Sequence, residues 1–320
     1  MDLLTFEPIA KSMLWGGTRL PEFLGLTPPT DGRPVGEAWV LSDVEGSESR
    51  VAGGPHRGRT LRQLTSEFPR QLLGDRVPAG GRFPLLLKFI DAKQALSVQV
   101  HPDDARAVEH KGPGHRGKTE AWVVLDAAAD SRLYAGFRPG VTADDFRAAV
   151  AAGTAPDTLH HFTPRPGDTL FLEAGTVHAI GANVLIFEVQ QTSDITYRLD
   201  DWGRVEVATG RPRELHVERG LACADFAAGP CHPVAPKPTA DGRESLVDCE
   251  HFTLHRLAVA DRATLANGAC RVLVVAAGRG TFNGVPVGPG AAVLVPACVG
   301  EVAVVADEPL TILDCGLGTP

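Results

Sequence analysis

Gln99, His101, Glu120 and His178 are the side chains of this sequence best suited to chemistry. Two neutral imidazoles, a carboxylate and an amide oxygen form a nitrogen/oxygen donor set for a divalent metal, zinc above all. Gln99 and His101 lie in Leu96-Ser-Val-Gln-Val-His101-Pro, where apolar and polar residues alternate. With a period of two, Ser97, Gln99 and His101 leave one face of a strand and Leu96, Val98 and Val100 the other. Taken singly, each candidate has an ordinary reading. A lone strand histidine is usually hydrogen-bonded core, amide ligands to zinc are uncommon, and Glu120 behind Lys118 and Thr119 could be a solvated charge. The joint case is stronger, because all four fall at strand edges of one β unit. The remaining nine histidines lie in loops or lack a carboxylate at strand spacing.

A second cluster runs Glu188-Val-Gln-Gln-Thr-Ser-Asp194-Ile-Thr-Tyr-Arg198. Asp194 and Arg198 could form a surface ion pair of little worth. Alternatively, Arg198 is suited to a planar anion or a developing oxyanion. Lys88 lies within the apolar run Pro84-Leu-Leu-Leu-Lys-Phe-Ile90, where an unpaired ammonium is costly, so it should face a wet cavity. A cavity holding a metal, Lys88, Lys118 and Arg198 suits a phosphorylated, oxygen-rich ligand.

The elements that must position these groups read as strands. The 35 glycines and 25 prolines separate short runs rich in Val, Leu, Phe and Thr, the pattern of an all-β sandwich or barrel. Strands are expected at 84–90, 96–101, 121–125, 168–172 and 184–190, with a turn at Asp91–Gln94 from which the second strand returns. Helix signals are few: Thr142-Ala-Asp-Asp145 caps a run that stops at Gly153, and others follow Pro102 and Thr60. Helical insertions are therefore placed at about 102–119 and 142–162, with a short helical patch at 60–74. Pro166-Gly-Asp-Thr-Leu-Phe-Leu-Glu-Ala-Gly-Thr-Val-His178 has a weak echo in Pro289 to Glu301, with Glu301 in the register of His178. The expected organisation is a metal-binding unit over 1–235 and a degenerate β domain without metal over 236–320. Residues 229–243, with prolines at 230, 233, 236 and 238, form the expected linker.

Composition narrows the partners. The formal charge is −8 and no basic block occurs, which disfavours nucleic acid and anionic membranes. No stretch approaches the roughly 18 apolar residues of a membrane span. The segment Met1 to Trp15 carries Asp2, Glu7 and Lys11 and does not read as a signal peptide. Six cysteines, all in the last third and none in a CxxC pair, point to reduced thiols and a cytoplasmic protein.

Several separated motifs then occur in a telling order: Trp15-Gly-Gly, Gly36-Glu-Ala-Trp39, Leu87-Lys-Phe-Ile-Asp-Ala, Leu96-Ser-Val-Gln-Val-His-Pro-Asp-Asp104, Gly117-Lys-Thr-Glu-Ala-Trp122, Ala174-Gly-Thr-Val-His-Ala-Ile-Gly181 and Gln191-Thr-Ser-Asp-Ile-Thr-Tyr-Arg198. Over about residues 6 to 220 the sequence resembles type I mannose-6-phosphate isomerase in its short bacterial form. The resemblance implies a cupin-type jelly roll with a second, degenerate cupin-like domain. It implies one zinc per chain on Gln99, His101, Glu120 and His178, and interconversion of mannose 6-phosphate and fructose 6-phosphate through a cis-enediol. Arg198 falls on an essential arginine, and Glu188, Lys118 and Asp194 on further catalytic positions. Ser97 and Lys88 match substrate-binding positions. The general base is left between Glu188 and Asp194. One departure stands out: some longer members carry a histidine before the lysine, and here that position is Gly117. Two rival readings are an iron-dependent cupin enzyme and a sugar-phosphate sensor on the same scaffold. A hexose 6-phosphate is the expected partner, and a monomer the expected state.

Overall fold

A computed structural model describes residues 1–320 except positions 28, 30, 31, 78, 79, 207–209, 319 and 320. The fold is mainly β, with four principal sheets stacked as two sandwiches. In the first, a six-stranded antiparallel sheet has the order Thr169–Leu172, Glu120–Ala127, Val184–Gln191, Leu85–Ala92, Ile9–Gly17, Val35–Leu41. A five-stranded sheet faces it, in the order Leu159–Phe162, Leu133–Phe137, His178–Ile180, Val98–Val100, Tyr197–Asp200.

Strand alternation divides the side chains between layers. Leu85, Leu87 and Phe89 leave one face of their strand, as do Leu185, Phe187 and Val189 of the neighbour. They join a core continued by Leu254, Val272, Val274 and Leu313 of the second sandwich, so apolar packing ties the two sandwiches together. Each such side chain, fully buried, is worth ~1.5–3 kcal/mol. The opposite faces carry Ile90, Trp122, Val124 and Ile186, which fill one end of the first sandwich. Further along the same faces come Lys88, Glu120 and Glu188, all buried. The interior thus changes from apolar to ionic along its length, and the candidate residues occupy the ionic end.

The five-stranded sheet turns Val98, Val100, Tyr197 and Leu199 outward, onto Ala107, Phe146 and Leu221 of helices Asp104–Lys111, Ala143–Ala152 and Val217–Cys223. Gln99 and Arg198, at the intervening positions, are left for the interior. The first two of these helices lie in the expected insertions. Ala143–Ala152 starts with a capping box between Thr142 and Asp145 and ends at left-handed Gly153. Helix Leu61–Glu67 has a second capping box, between Thr60 and Gln63. Helices Arg19–Leu24 and Val217–Cys223 were not legible, and neither has a side-chain N-cap hydrogen bond.

The structure corrects three local expectations. Asp91 is not in a turn but in strand Leu85–Ala92, its buried carboxylate accepting from Arg19 N at 2.8 Å and Arg19 Nε at 2.7 Å. Strand Val98–Val100 does not pair back on Leu85–Ala92. The chain crosses to the facing sheet, which is what lets the two strands offer residues to one cavity from opposite walls. Residues 229–243 do not form a free linker either: Cys231 N and Val234 N donate to Ala135 O and Thr169 O, and Lys237–Pro238 is an edge strand.

The second sandwich pairs a seven-stranded sheet with a four-stranded one. The N-terminal strand Leu4–Thr5 belongs to it, pairing with Ala292–Val295, so its sheets draw on both ends of the chain. Glu301 is exposed at the start of strand Glu301–Ala306, while Val302 and Val304 point into the core. No helix among the described residues is long and apolar enough to cross a membrane. All six cysteines are free.

Candidate active site

His101, Glu120 and His178 offer nitrogen and oxygen atoms that all lie within 4.8 Å of one another. They come from both walls of the sandwich. His178 heads strand His178–Ile180 and pairs with Gln99 across the sheet, whereas Glu120 heads Glu120–Ala127 on the opposing sheet. All three are at most 2% exposed, so an uncompensated carboxylate here is costly. Glu120 Oε1 is 3.3 Å from His178 Nε2, and Oε2 is 3.5 Å from His101 Nε2.

The imidazole tautomers follow from their other nitrogens. His101 Nδ1 lies 2.8 Å from Ile195 O and His178 Nδ1 2.8 Å from Thr176 O. A carbonyl only accepts, so each Nδ1 carries the proton and each Nε2 presents a lone pair toward Glu120. Burial, reinforced by the Lys118 charge, keeps both rings neutral: His178 is held down at about 4, and His101 lies well below its ordinary value. Gln99 Nε2 stands 3.2 Å from His178 Nε2, and Ser97 Oγ 3.3 Å from Gln99 Oε1. Amide oxygen and nitrogen exchange by a flip, so Gln99 can present either atom to that point.

Beside these groups runs a ladder of alternating charge. Glu37 Oε2 is 3.4 Å from Lys88 Nζ, and Lys88 Nζ is 3.2 Å from Glu188 Oε1. Glu188 Oε1 is in turn 3.4 Å from Lys118 Nζ, which is 2.5 Å from Glu120 Oε2. Strand register produces most of this: Trp39, Lys88, Glu188 and Trp122 form one row across four strands. The two indoles anchor the acids, Trp39 Nε1 donating to Glu37 at 2.7 Å and Trp122 Nε1 to Glu188 Oε2 at 3.0 Å. Burial opposes the charge on Lys88, but Glu188 and Glu37 outweigh it and raise its pKa. Burial likewise opposes ionisation of Glu188, and Lys118 and Lys88 outweigh that, holding it below the usual carboxylate value. Burial and the neighbouring Glu188 push Glu120 up to about 7.

The donor set fits a divalent cation. Glu120 Oε1 is buried without a hydrogen-bond partner, and Oε2 has only the Lys118 ammonium, at 2.5 Å. Lys118 Nζ also stands 3.0 Å from His101 Nε2, so a positive charge faces the lone pairs a metal would use.

A cavity of about 310 Å³ opens beside this centre, lined by Ser97, Gln99, Lys118, Glu188, Asp194 and Arg198 among others. Arg198 pairs with Gln99 across the sheet; its Nη1 donates to Glu214 O at 2.9 Å, while its Nε is buried without a partner. Asp194 and Arg198 form no ion pair with each other among the described residues, and burial raises the Asp194 carboxyl. The structure therefore brings every candidate residue of the sequence to one centre or the cavity beside it. Sequence reasoning missed Glu37 and Arg213, which also line the cavity. Glu37 had a signal, a lone acid in the fully buried strand Val35–Leu41. Arg213 had none, because it reaches the cavity from a loop, held by Asp201 through Nε at 2.8 Å and Nη2 at 2.5 Å. At Gly117, a Cβ would meet Asp103 C at 2.5 Å and Pro102 O at 2.7 Å, so this backbone excludes a histidine there.

Comparison with known proteins identifies the family. Residues 3–137 match the model of the phosphomannose isomerase type I catalytic domain. The chain is 36% identical over 264 residues to the mannose-6-phosphate isomerase ManA of Bacillus subtilis, covering 82% of this chain and 81% of that protein. It is 34% identical over 273 residues to the mannose-6-phosphate isomerase of Streptococcus mutans, covering 84% and 83%. The crystal structure of the mannose 6-phosphate isomerase from Bacillus subtilis superposes with a TM-score of 0.88 at 28% identity, over 99% of this chain and 100% of that one. Relatives above 30% identity matched over more than four-fifths of the sequence settle the family: the chain belongs to the type I mannose-6-phosphate isomerases.

Proposed function

We propose that this protein is a zinc-dependent aldose–ketose isomerase that interconverts mannose 6-phosphate and fructose 6-phosphate through a cis-enediol. The observation that carries the reading is the buried His101/Glu120/His178 centre opening onto a cavity with cationic walls. His101, Glu120, His178 and Gln99 would hold the zinc, one ion per chain. When bound, it supplies Lewis-acid stabilisation of the two oxygens that share negative charge in the enediol.

The chain's own groups have distinct tasks. A base must reach the proton that moves between carbons 1 and 2. Glu188 is our first candidate: its Oε2 is fixed by Trp122, and its Oε1 faces the Lys88 and Lys118 ammonium groups at 3.2 and 3.4 Å. The two flanking ammonium groups keep it ionised at neutral pH. Asp194, on the same cavity, is the second candidate. Lys118 stabilises negative charge next to the centre, and Arg198 does so from the opposite sheet. Ser97 and Lys88 bind the substrate and, with the half-enclosed cavity, align its reactive end. A cytoplasmic setting is the reading that the six free cysteines favour.

Metal analysis of protein purified without added metal tests the reading. Zinc near one equivalent supports it, whereas iron accompanied by oxygen uptake would replace it with cupin oxygen chemistry.

A further inference from the structure

The strongest unassigned feature is a second cleft, of about 370 Å³, on the far side of segment Thr192–Thr196 from the metal centre. Asp194 and Thr196 line both cavities. The intervening segment is firmly held: Ser193 Oγ donates to Arg116 O at 2.8 Å, Thr192 Oγ1 to Phe83 O at 2.6 Å, and Ile195 O receives His101. The cleft is therefore a formed concavity, of a size that takes small molecules.

Its charge runs against that of the chain. The protein carries −8 overall, yet four cations, Arg82, Lys111, Arg116 and Arg219, line this one concavity. Only two acids line it, Glu45 and Asp194. Glu45 pairs with Arg82 at 3.3 Å. Asp194 interacts chiefly with Lys88, Glu37 and Lys118, the groups of the metal cavity. Among the described residues, no carboxylate lies within ion-pair distance of Lys111, Arg116 or Arg219. Lys111 has a local reason for its place, the last turn of helix Asp104–Lys111, where a cation complements the helix dipole. Arg219 has the reverse, standing in the first turn of Val217–Cys223. His115 and His216 add two imidazoles to the same walls.

Three cations without a carboxylate partner line this one concave surface, where a multiply charged oxyanion would neutralise them while accepting several hydrogen bonds. We propose that this cleft is an anion-binding site for small phosphorylated molecules, separate from the metal cavity and walled off from it by Thr192–Thr196. The inference stands apart from the isomerase reading, because none of the three cations belongs to the metal cavity.

Inorganic phosphate titrated at low ionic strength is the test, comparing wild type, Lys111→Ser/Arg116→Ser/Arg219→Ser and Arg198→Ala. Phosphate should still bind Arg198→Ala, whose second cleft is intact, and affinity should fall at least ~10-fold in the triple variant. Arg116→Ser and Arg219→Ser alone should each give an intermediate loss, which covers misfolding of the triple. Affinity unchanged in the triple variant, or abolished by Arg198→Ala, would place the anion in the catalytic cavity and overturn the proposal, as would no binding to wild type. Isomerase activity of wild type is measured separately, so failure of the enzymatic reading is distinguishable.

Discussion

Gln99 and His178 stand opposite each other in the antiparallel pairing of Val98–Val100 with His178–Ile180, their Nε2 atoms 3.2 Å apart. On its other side Gln99 pairs with Arg198. Three adjacent strands thus present an imidazole, an amide and a guanidinium in one row, and Glu120 faces that row from the other sheet. A metal held here would pin the two sheets of the sandwich to each other. Binding to the native state alone adds stability, by ~2.7 kcal/mol at a hundredfold excess over Kd. Chelation should therefore lower the melting temperature as well as turnover.

His178→Ala is expected to lose bound zinc, because it removes one of two neutral nitrogen donors and leaves Glu120 buried against Lys118. Elemental analysis of the purified variant checks this. Full metal occupancy would take His178 out of the ligand set.

Arg198→Ala should lower turnover at least ~100-fold, the usual scale for loss of a charge-stabilising donor, with zinc content unchanged. Its Nη1 contact to Glu214 O is exposed, so the fold should persist. Steady-state kinetics beside metal analysis separates the two effects, and normal turnover would remove Arg198 from catalysis.

For Glu188→Gln the expected loss of kcat is ~10²–10⁴-fold, the range for a positioned general base. The amide keeps the Trp122 contact in place, so a folded but inactive variant is the outcome sought. If Asp194→Asn is the inactive one and Glu188→Gln turns over normally, the base is Asp194.

Much of this site was legible because a strand period of two is simple to read. The alternation in 96–101 places Ser97, Gln99 and His101 together, and Lys88 in an apolar run already demanded an ionic cavity. What the pattern could not convey was which strands would face each other. The expected return of 96–101 onto 84–90 is a crossing to the opposite sheet, decided by bends at Lys93–Gln94, whose amides both donate to Trp15 O. Arg213 was invisible because its place depends on an ion pair with Asp201 inside a loop. The N-terminal strand was invisible too, since Leu4–Thr5 is short and its partner Ala292–Val295 is almost the whole chain away.

Asp201 also gives a pH prediction. Burial opposes its ionisation, but hydrogen bonds from Arg213 and Arg204 prevail and hold its carboxyl below the ordinary 3.8. A depressed carboxylate contributes stability above its unfolded pKa and loses it as pH falls through the folded value. The loop contacts that Arg204 and Arg213 make with Asp201 should therefore loosen only below about pH 3.8, and Asp201→Asn should loosen them at neutral pH. Trp202, whose Nε1 donates to Leu96 O at 2.6 Å, reports this by fluorescence. No difference between wild type and Asp201→Asn at neutral pH would show that the pair does not hold the loop.

The central claim is most directly tested by a coupled assay of mannose 6-phosphate to fructose 6-phosphate on native, chelator-treated and zinc-reloaded protein. Turnover that disappears on chelation and returns with zinc is the result expected. Absence of turnover in protein shown to carry full zinc, or undiminished turnover in protein shown to carry none, would contradict it.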